Sequence, residues 1–321
     1  MESNKEKRKL RIVFMGTPDF AVAGLKKLVE SDYDVVGVIT APDKPAGRGR
    51  KIQESAVKKY ALSKGLLILQ PQNLKSEAFL EELKSLKPNL QIVVAFRMLP
   101  KAVWQIPEFG TFNLHASLLP QYRGAAPINW AIINGEKRTG VTTFFIDEKI
   151  DTGEIILQKE TSIEPDEDAG KLHDKLMSLG ADLILETVEL IESGVIVTQK
   201  QSSSEELKFA PKIFREDCKI DWSLSMEKLN DFIRGLSPYP AAWTFFKNGI
   251  EENTLKVFKI TIEPTEHDIP IGTMIQSKEK LKIAVNGGFV YLLEVQLSGK
   301  RKMGIKEVLN GLKIKEGAFV R

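Results

Sequence analysis

LRIVFMGTPDFAVAGLKKLVESDYDVVGVIT, residues 10–40, is the stretch that decides the fold. It opens with LRIVFM, an apolar run that reads as a strand buried on both faces. Gly16-Thr17-Pro18 is a turn, AVAGLKKLVES (21–31) has helical apolar spacing, and DVVGVIT (34–40) is a second buried strand. Strand, helix and strand in succession make a βαβ unit, which implies a parallel pair.

The pattern continues downstream. AVKKYALSKG (56–65) and EAFLEELKSLKP (77–88) read as helices. LLIL (66–69), LQIVVAF (90–96), GTFNLHA (110–116) and GVTTFFID (140–147) read as strands. The expected fold class is α/β, with a Rossmann-like, mainly parallel sheet in the N-terminal domain. Residues 169–194 carry Leu172, Leu176, Leu179, Leu183 and Ile184, a long amphipathic helix. KQSSSEELK (200–208) is polar and reads as a linker. Beyond it, the helix SMEKLNDFIRGL precedes the β-like runs LKVFKITI, LKIAVN and FVYLLEVQL, which predict a smaller C-terminal β-barrel, OB-like in type. The expected division is 1–199 catalytic, 200–208 linker and 209–321 β-rich.

Composition narrows the classes. The 321 residues suit two domains, and 42% hydrophobic with 28% charged residues is ordinary globular composition. A single cysteine, Cys218, excludes an internal disulfide framework and points to a reducing, cytoplasmic setting. MESNKEKRKLR lacks an apolar core, so no secretory signal is expected. No apolar run reaches the roughly 18 residues of a membrane span. Net charge is +3, unevenly spread. Residues 1–208 hold 28 Lys+Arg against 29 Asp+Glu, and residues 209–321 hold 18 against 14. A basic C-terminal part fits a polyanionic partner, and equally a solvated lysine-rich surface.

MGTPDF (15–20) sits where a dinucleotide loop would, but it is not GxGxxG, so a nicotinamide oxidoreductase is disfavoured. In open α/β sheets ligands lie beyond the C-terminal strand ends. If the strands are parallel, the Gly16 turn, Phe96-Arg97 and His115 share that edge. FNLHASLLPQYRGAAPINW (112–130) puts Asn113 and His115 two apart at a strand end, so they project together and Leu114 projects oppositely. An amide donor beside an imidazole suits an acyl-group reaction, one stabilising an oxyanion and the other managing protons. Asp151, in the IDEKIDTGE turn (146–154), is the candidate carboxylate that would orient the ring and favour its charged form. Neither Ser117 nor Cys218 has a nucleophile's context, so direct attack by a substrate nucleophile is expected. A histidine at a sheet edge also serves as a purely structural residue, and Asn-x-His alone leaves both readings open.

The longer pattern N-x-H-x-S-L-L-P, then Y-R-G-A-A-P-I and D-T-G, resembles the folate-dependent formyltransferases. Supporting stretches are GTPDFA (16–21), APDKPAGRGRK (41–51), LPKAVW (99–104), IDWS (220–223), IRGLSPYPAAW (233–243) and VQLSGKRKM (295–303). The resemblance implies that Asn113, His115 and Asp151 are catalytic. It implies that 10-formyltetrahydrofolate is the co-substrate, met by Ser117, Leu118, Leu119, Pro120 and Phe96. Around Phe96, VVAFRMLP (93–100) departs from the family's usual Tyr-Gly. The 41–51 loop and the C-terminal pieces point to the family members whose acceptor is the α-amino group of initiator methionyl-tRNA. Lys44, Arg48, Arg50 and Lys51 of that loop, with Lys300, Arg301 and Lys302, would then meet the RNA.

Rival readings are a sugar-nucleotide or purine-pathway formyltransferase, a formyltetrahydrofolate hydrolase, and an inactive RNA-binding module. No metal is expected, since HExxH-like spacing is absent, and no obligate protein partner. His173 reads as core edge or surface, His267 as solvated, Trp130 as core, and Trp222 and Trp243 as packing residues, with stacking on bases the alternative for those two.

Overall fold

The structure is a computed structural model and describes residues 8–46, 51–202 and 206–321. In chain order the first elements are β1 (Ile12–Gly16), α1 (Asp19–Glu30), β2 (Val35–Ile39), α2 (Ala56–Ser63), β3 (Ile68–Leu69), α3 (Glu77–Ser85), β4 (Leu90–Val94) and β5 (Thr111–His115). Then follow α4 (Pro127–Ile133), β6 (Arg138–Phe145), β7 (Ile155–Ser162) and α5 (Ala169–Ser193). Seven strands form one sheet in the order β7-β6-β5-β4-β1-β2-β3. The β1–β2, β1–β4, β2–β3 and β4–β5 pairs are parallel, and β6 runs antiparallel to β5. This is the Rossmann-like, mainly parallel sheet that the alternating pattern predicts.

β1 and β4 are buried along their whole length because helices cover both sheet faces. Glycine sets two of the closest approaches. A Cβ on Gly24 of α1 would meet Ile184 Cδ1 at 2.5 Å, and one on Gly180 of α5 would meet Leu114 Cδ2 at 2.6 Å. Leu114 therefore packs against α5, and period-two alternation turns Asn113 and His115 to the other face. β7 has no counterpart among the predicted strands. Its sequence, IILQKETS, alternates half-buried and exposed residues after Ile156, as an edge strand does.

The later elements are α6 (Met226–Gly235), β8 (Ala242–Asn248), β9 (Glu251–Pro264), β10 (Met274–Gln276), β11 (Leu281–Val285), β12 (Gly288–Leu297), α7 (Ile305–Gly311) and β13 (Phe319–Val320). They build an antiparallel sheet in the order β10-β11-β12-β9-β8-β13. The sheet curls until its ends meet: Met274 N–H donates to Ala318 O at 3.0 Å, and Val320 N–H to Gly272 O at 2.9 Å. A register shift near Val257–Lys259 bends the long β9 strand and helps the near-closure. Leu229 and Ile233 of α6 join Trp222, Phe246, Val257, Ile283, Val290 and Val295 in its core. Ser225 caps α6, its hydroxyl accepting from Lys228 N–H.

The chain divides into two compact units, one of residues 1–124, 139–161 and 173–209, the other of 125–138, 162–172 and 210–321. α4 belongs with the barrel unit because it packs on α6: a Cβ on Gly235 would meet Ile133 Cγ1 at 2.7 Å, and Asn129 donates to Gly235 O at 2.7 Å.

Candidate active site

Parallel pairing brings the C-terminal ends of β1, β4 and β5 to one edge, and with them Gly16, the Phe96-Arg97 loop and His115. His115 is 6% exposed. Its Nε2 lies 2.8 Å from the Tyr122 carbonyl oxygen. A carbonyl only accepts, so Nε2 carries a proton and Nδ1 is the ring position left to exchange one. Nδ1 faces Asp151, with Oδ2 at 3.8 Å. That carboxylate in turn accepts from Gly124 N–H at 3.0 Å. Asn113 is half-buried on the same strand face, and among the described residues its side-chain amide has no hydrogen-bond partner. An uncommitted amide, an imidazole with Nδ1 turned to a carboxylate, and that carboxylate thus stand together.

Two residues flanking the histidine hold left-handed backbone although neither is glycine: Tyr122 at φ +59° and Asp151 at φ +55°. Each such conformation costs of order 1–3 kcal/mol and persists only where the surroundings fix it. Tyr122 N–H is fixed by Lys208 O at 2.6 Å. The Asp151 turn presses so close to β6 that a Cβ on Gly153 would sit 1.7 Å from Phe145 O.

The segment after His115 is fastened to β6 and β7. Thr142 Oγ1 donates to Ser117 O at 2.7 Å and accepts from Leu119 N–H at 3.2 Å. Gln158 Nε2 donates to Leu119 O at 2.9 Å, and Leu118 O accepts from Gln121 N–H at 3.1 Å. Ser117 is buried with its hydroxyl on Gln121 O at 2.7 Å. Leu119 is core, packed with Phe144 and Ile155, while Leu118 and Pro120 are half-buried. Phe96 is half-buried under the Arg97 guanidinium, 5.5 Å from its ring centroid. Arg97 also holds the Pro71 and Gln72 carbonyls.

The basic residues divide. Lys44 is exposed in a hairpin, Lys44–Ala46 against Lys51–Gln53, while Arg48, Arg50 and the Lys51 side chain lie outside the described residues. At the hairpin's foot, the hydrogen bond from Lys58 holds the Asp43 carboxyl below the usual carboxylate range, and Gln70 adds to it. In the barrel, Lys300 is exposed, Arg301 pairs with Glu307, and Lys302 Nζ lies 2.9 Å from Glu294.

A second basic surface, of which only Trp243 is singled out in the sequence, lies on the outward face of β8. Trp243 and Phe245 meet edge to face at 5.2 Å. Arg215 lies over Trp243, Lys219 and Arg321 over Phe245, and Lys247 over Phe319, all 5.3–5.9 Å from the ring centroids. Lys256 stands opposite Trp243 on β9. Glu252 pairs with Arg321 at 2.6 Å. Lys219 and Arg321 also line a cavity of about 380 Å³, with Asp221 and Ser223.

His173 is half-exposed, on Asp174 at 3.0 Å and edge-on to Phe20. His267 corrects the expectation of a solvated loop residue. It is part-buried, Nε2 donates to Gly288 O at 2.8 Å, Nδ1 accepts from Ile269 N–H at 3.1 Å, and the ring lies 4.5 Å from Phe289. Trp222 is core with its N–H on Thr244 Oγ1, whereas Trp130 is only half-buried. Among the described residues no three His, Cys, Asp or Glu side chains cluster to hold a metal, and no helix is long and apolar enough to cross a membrane.

Residues 10–188 match the formyl transferase family and residues 212–313 its C-terminal domain. A methionyl-tRNA formyltransferase of Flavobacterium johnsoniae is 57% identical over 312 residues, 97% of this chain and 99% of that one. One of Parabacteroides distasonis is 54% identical over 96% and 97% of the two chains. Among solved structures, the sugar 3N-formyl transferase WlaRD aligns over 92% of this chain and 100% of its own, with TM-score 0.62 and 20% identity. HypX from Aquifex aeolicus, in complex with tetrahydrofolic acid, aligns over 94% of this chain and 47% of its own, with TM-score 0.63 and 17% identity. These two likenesses are of fold.

Proposed function

We propose a reaction for this chain from the premise that it belongs to the methionyl-tRNA formyltransferase family, a family of one-carbon transferases: it moves the formyl group of 10-formyltetrahydrofolate to the α-amino group of initiator methionyl-tRNA. The observation that carries the chemistry is the uncommitted Asn113 amide beside the His115–Asp151 pair at the sheet's ligand edge. The amine, neutral above a pKa of about 8, attacks the formyl carbon and forms a C–N bond. The carbonyl oxygen becomes an oxyanion that accepts a hydrogen bond from Asn113. Collapse breaks the bond from the formyl carbon to the folate nitrogen. One proton leaves the amine and one reaches the departing nitrogen. Since Nε2 is tied to Tyr122, this traffic uses Nδ1 and the neighbouring Asp151 carboxylate.

We assign this chemistry to residues 1–199, RNA binding to 209–321, and the connection to 200–208. Ser117–Pro120 and Phe96 border the folate. Residues 44–51 and the basic barrel, through Lys300–Lys302 and the β8 face, approach the RNA. Cations spread over aromatic rings offer both phosphate neutralisation and base stacking.

The test is formyl transfer from 10-formyltetrahydrofolate to charged initiator methionyl-tRNA, to free methionine and to an amino-sugar nucleotide. Transfer to the tRNA alone supports the reading. Transfer to a small amine keeps the chemistry and removes the RNA role.

A further inference from the structure

The polar run that reads as a plain linker contains a residue bound into the site. Gln199 exchanges backbone hydrogen bonds with Ile155, at 2.8 and 2.9 Å, which brings Gln201 over the Asp151 turn. Gln201 Nε2 donates to the Asp151 carbonyl at 3.0 Å and to the Gly153 carbonyl at 2.8 Å. Its Oε1 accepts from Arg123 Nε at 3.1 Å and Nη2 at 2.6 Å. A guanidinium only donates, so Arg123 fixes which end of the amide faces which partner. Arg123 is also the residue before Gly124, whose N–H holds the Asp151 carboxylate.

We propose that Gln201 is a positioning residue for formyl transfer: oriented by Arg123, it holds the Asp151 backbone in its left-handed conformation and so aims the carboxylate at Gly124 and His115. This rests on Asp151 having the role given above. Gln201 touches no reacting atom. Its action is to remove the freedom of a turn whose preferred conformations would carry the carboxylate elsewhere.

Gln201→Ala and Gln201→Glu, compared with wild type using 10-formyltetrahydrofolate and charged initiator methionyl-tRNA, test it. Gln201→Glu keeps the Arg123 pair but sets a carboxylate against two carbonyls. Both variants are expected to lose about 10- to 100-fold in kcat, with the KM for each substrate unchanged and the melting temperature within a few degrees of wild type. If the alanine variant melts early, the glutamate variant carries the test. Unchanged kcat in Gln201→Ala, a loss confined to KM, or wild-type kcat in Gln201→Glu overturns the proposal. Asp151→Asn in the same assay separates the two ideas. If it is slow while Gln201→Ala is normal, only the positioning role is lost; if Asp151→Asn is as fast as wild type, the role of Asp151 falls and the proposal with it.

Discussion

The strand-end site and the outward face of β8 are both polar surfaces, built in opposite ways. At the site each functional group other than Asn113 is held by a named partner: His115 by Tyr122, Asp151 by Gly124, and the Asp151 turn by Gln201. On β8 the cations rest on rings more than 5 Å from their centroids, and most are exposed. Bond-making needs atoms fixed to fractions of an ångström. Attraction of a phosphate chain needs only charge of one sign within a screening length. The first arrangement should fail sharply when one atom is removed, and the second gradually as charges are removed.

The largest expected effect lies at the site. Asn113→Ala should lower kcat about 10²–10³-fold while tetrahydrofolate binding, followed by calorimetry, persists; a loss below about fivefold would break the contrast. Next is the support behind the site. Leu114→Ala removes the packing against α5 and should cost about 2–5 kcal/mol in urea unfolding, with kcat falling only where the fold is lost. The β8 face comes third. Lys219→Ala with Arg215→Ala should raise the KM for tRNA and leave kcat alone. The slope of log affinity against log salt should shrink by about one unit for each phosphate that the variant no longer neutralises. Arg301→Ala and Lys302→Ala should do less, because Glu307 and Glu294 already neutralise those charges. An equal effect at both places would erase the distinction between the two basic surfaces.

The smallest effect is that of pH at the hairpin's foot. The hydrogen bond from Lys58 lowers the Asp43 carboxyl from its usual 3.8. A lowered folded-state value means stabilisation that is complete above the unfolded value and lost as pH falls through the folded one. Asp43→Asn should therefore flatten the acid limb of the stability curve below about pH 4 and leave activity near pH 7 unaltered. A change near neutrality would point to a role in the hairpin itself.

The sheet was legible because IVFMG is apolar throughout and LQIVV is interrupted only by Gln91, the mark of strands buried on both faces. The shared direction of Asn113 and His115 followed from period two, and the shared edge from parallel pairing. β7 was not legible, because its outer half alternates with polar residues and its inner half is two isoleucines and a leucine. Gln201 gave no signal at all. Its partners lie 48 to 78 positions away along the chain, so neither spacing nor composition records them. The same holds for Glu294 beside Lys302 and for Gly288 beside His267: sequence counts a charge or a ring, and only folding supplies its neighbour.

Under the role proposed for Asp151, its left-handed backbone sets the catalytic and the thermal interests of this chain against each other. Asparagine and glycine tolerate that conformation better than aspartate does. A library selected for survival at high temperature alone should therefore drift at position 151 toward residues that rest easily there, and would collect sturdy chains that no longer turn over. Selection that alternates heat with a demand for formylated product should instead leave Asp151 fixed and accumulate its gains elsewhere in the sequence, among core positions and exposed helix positions.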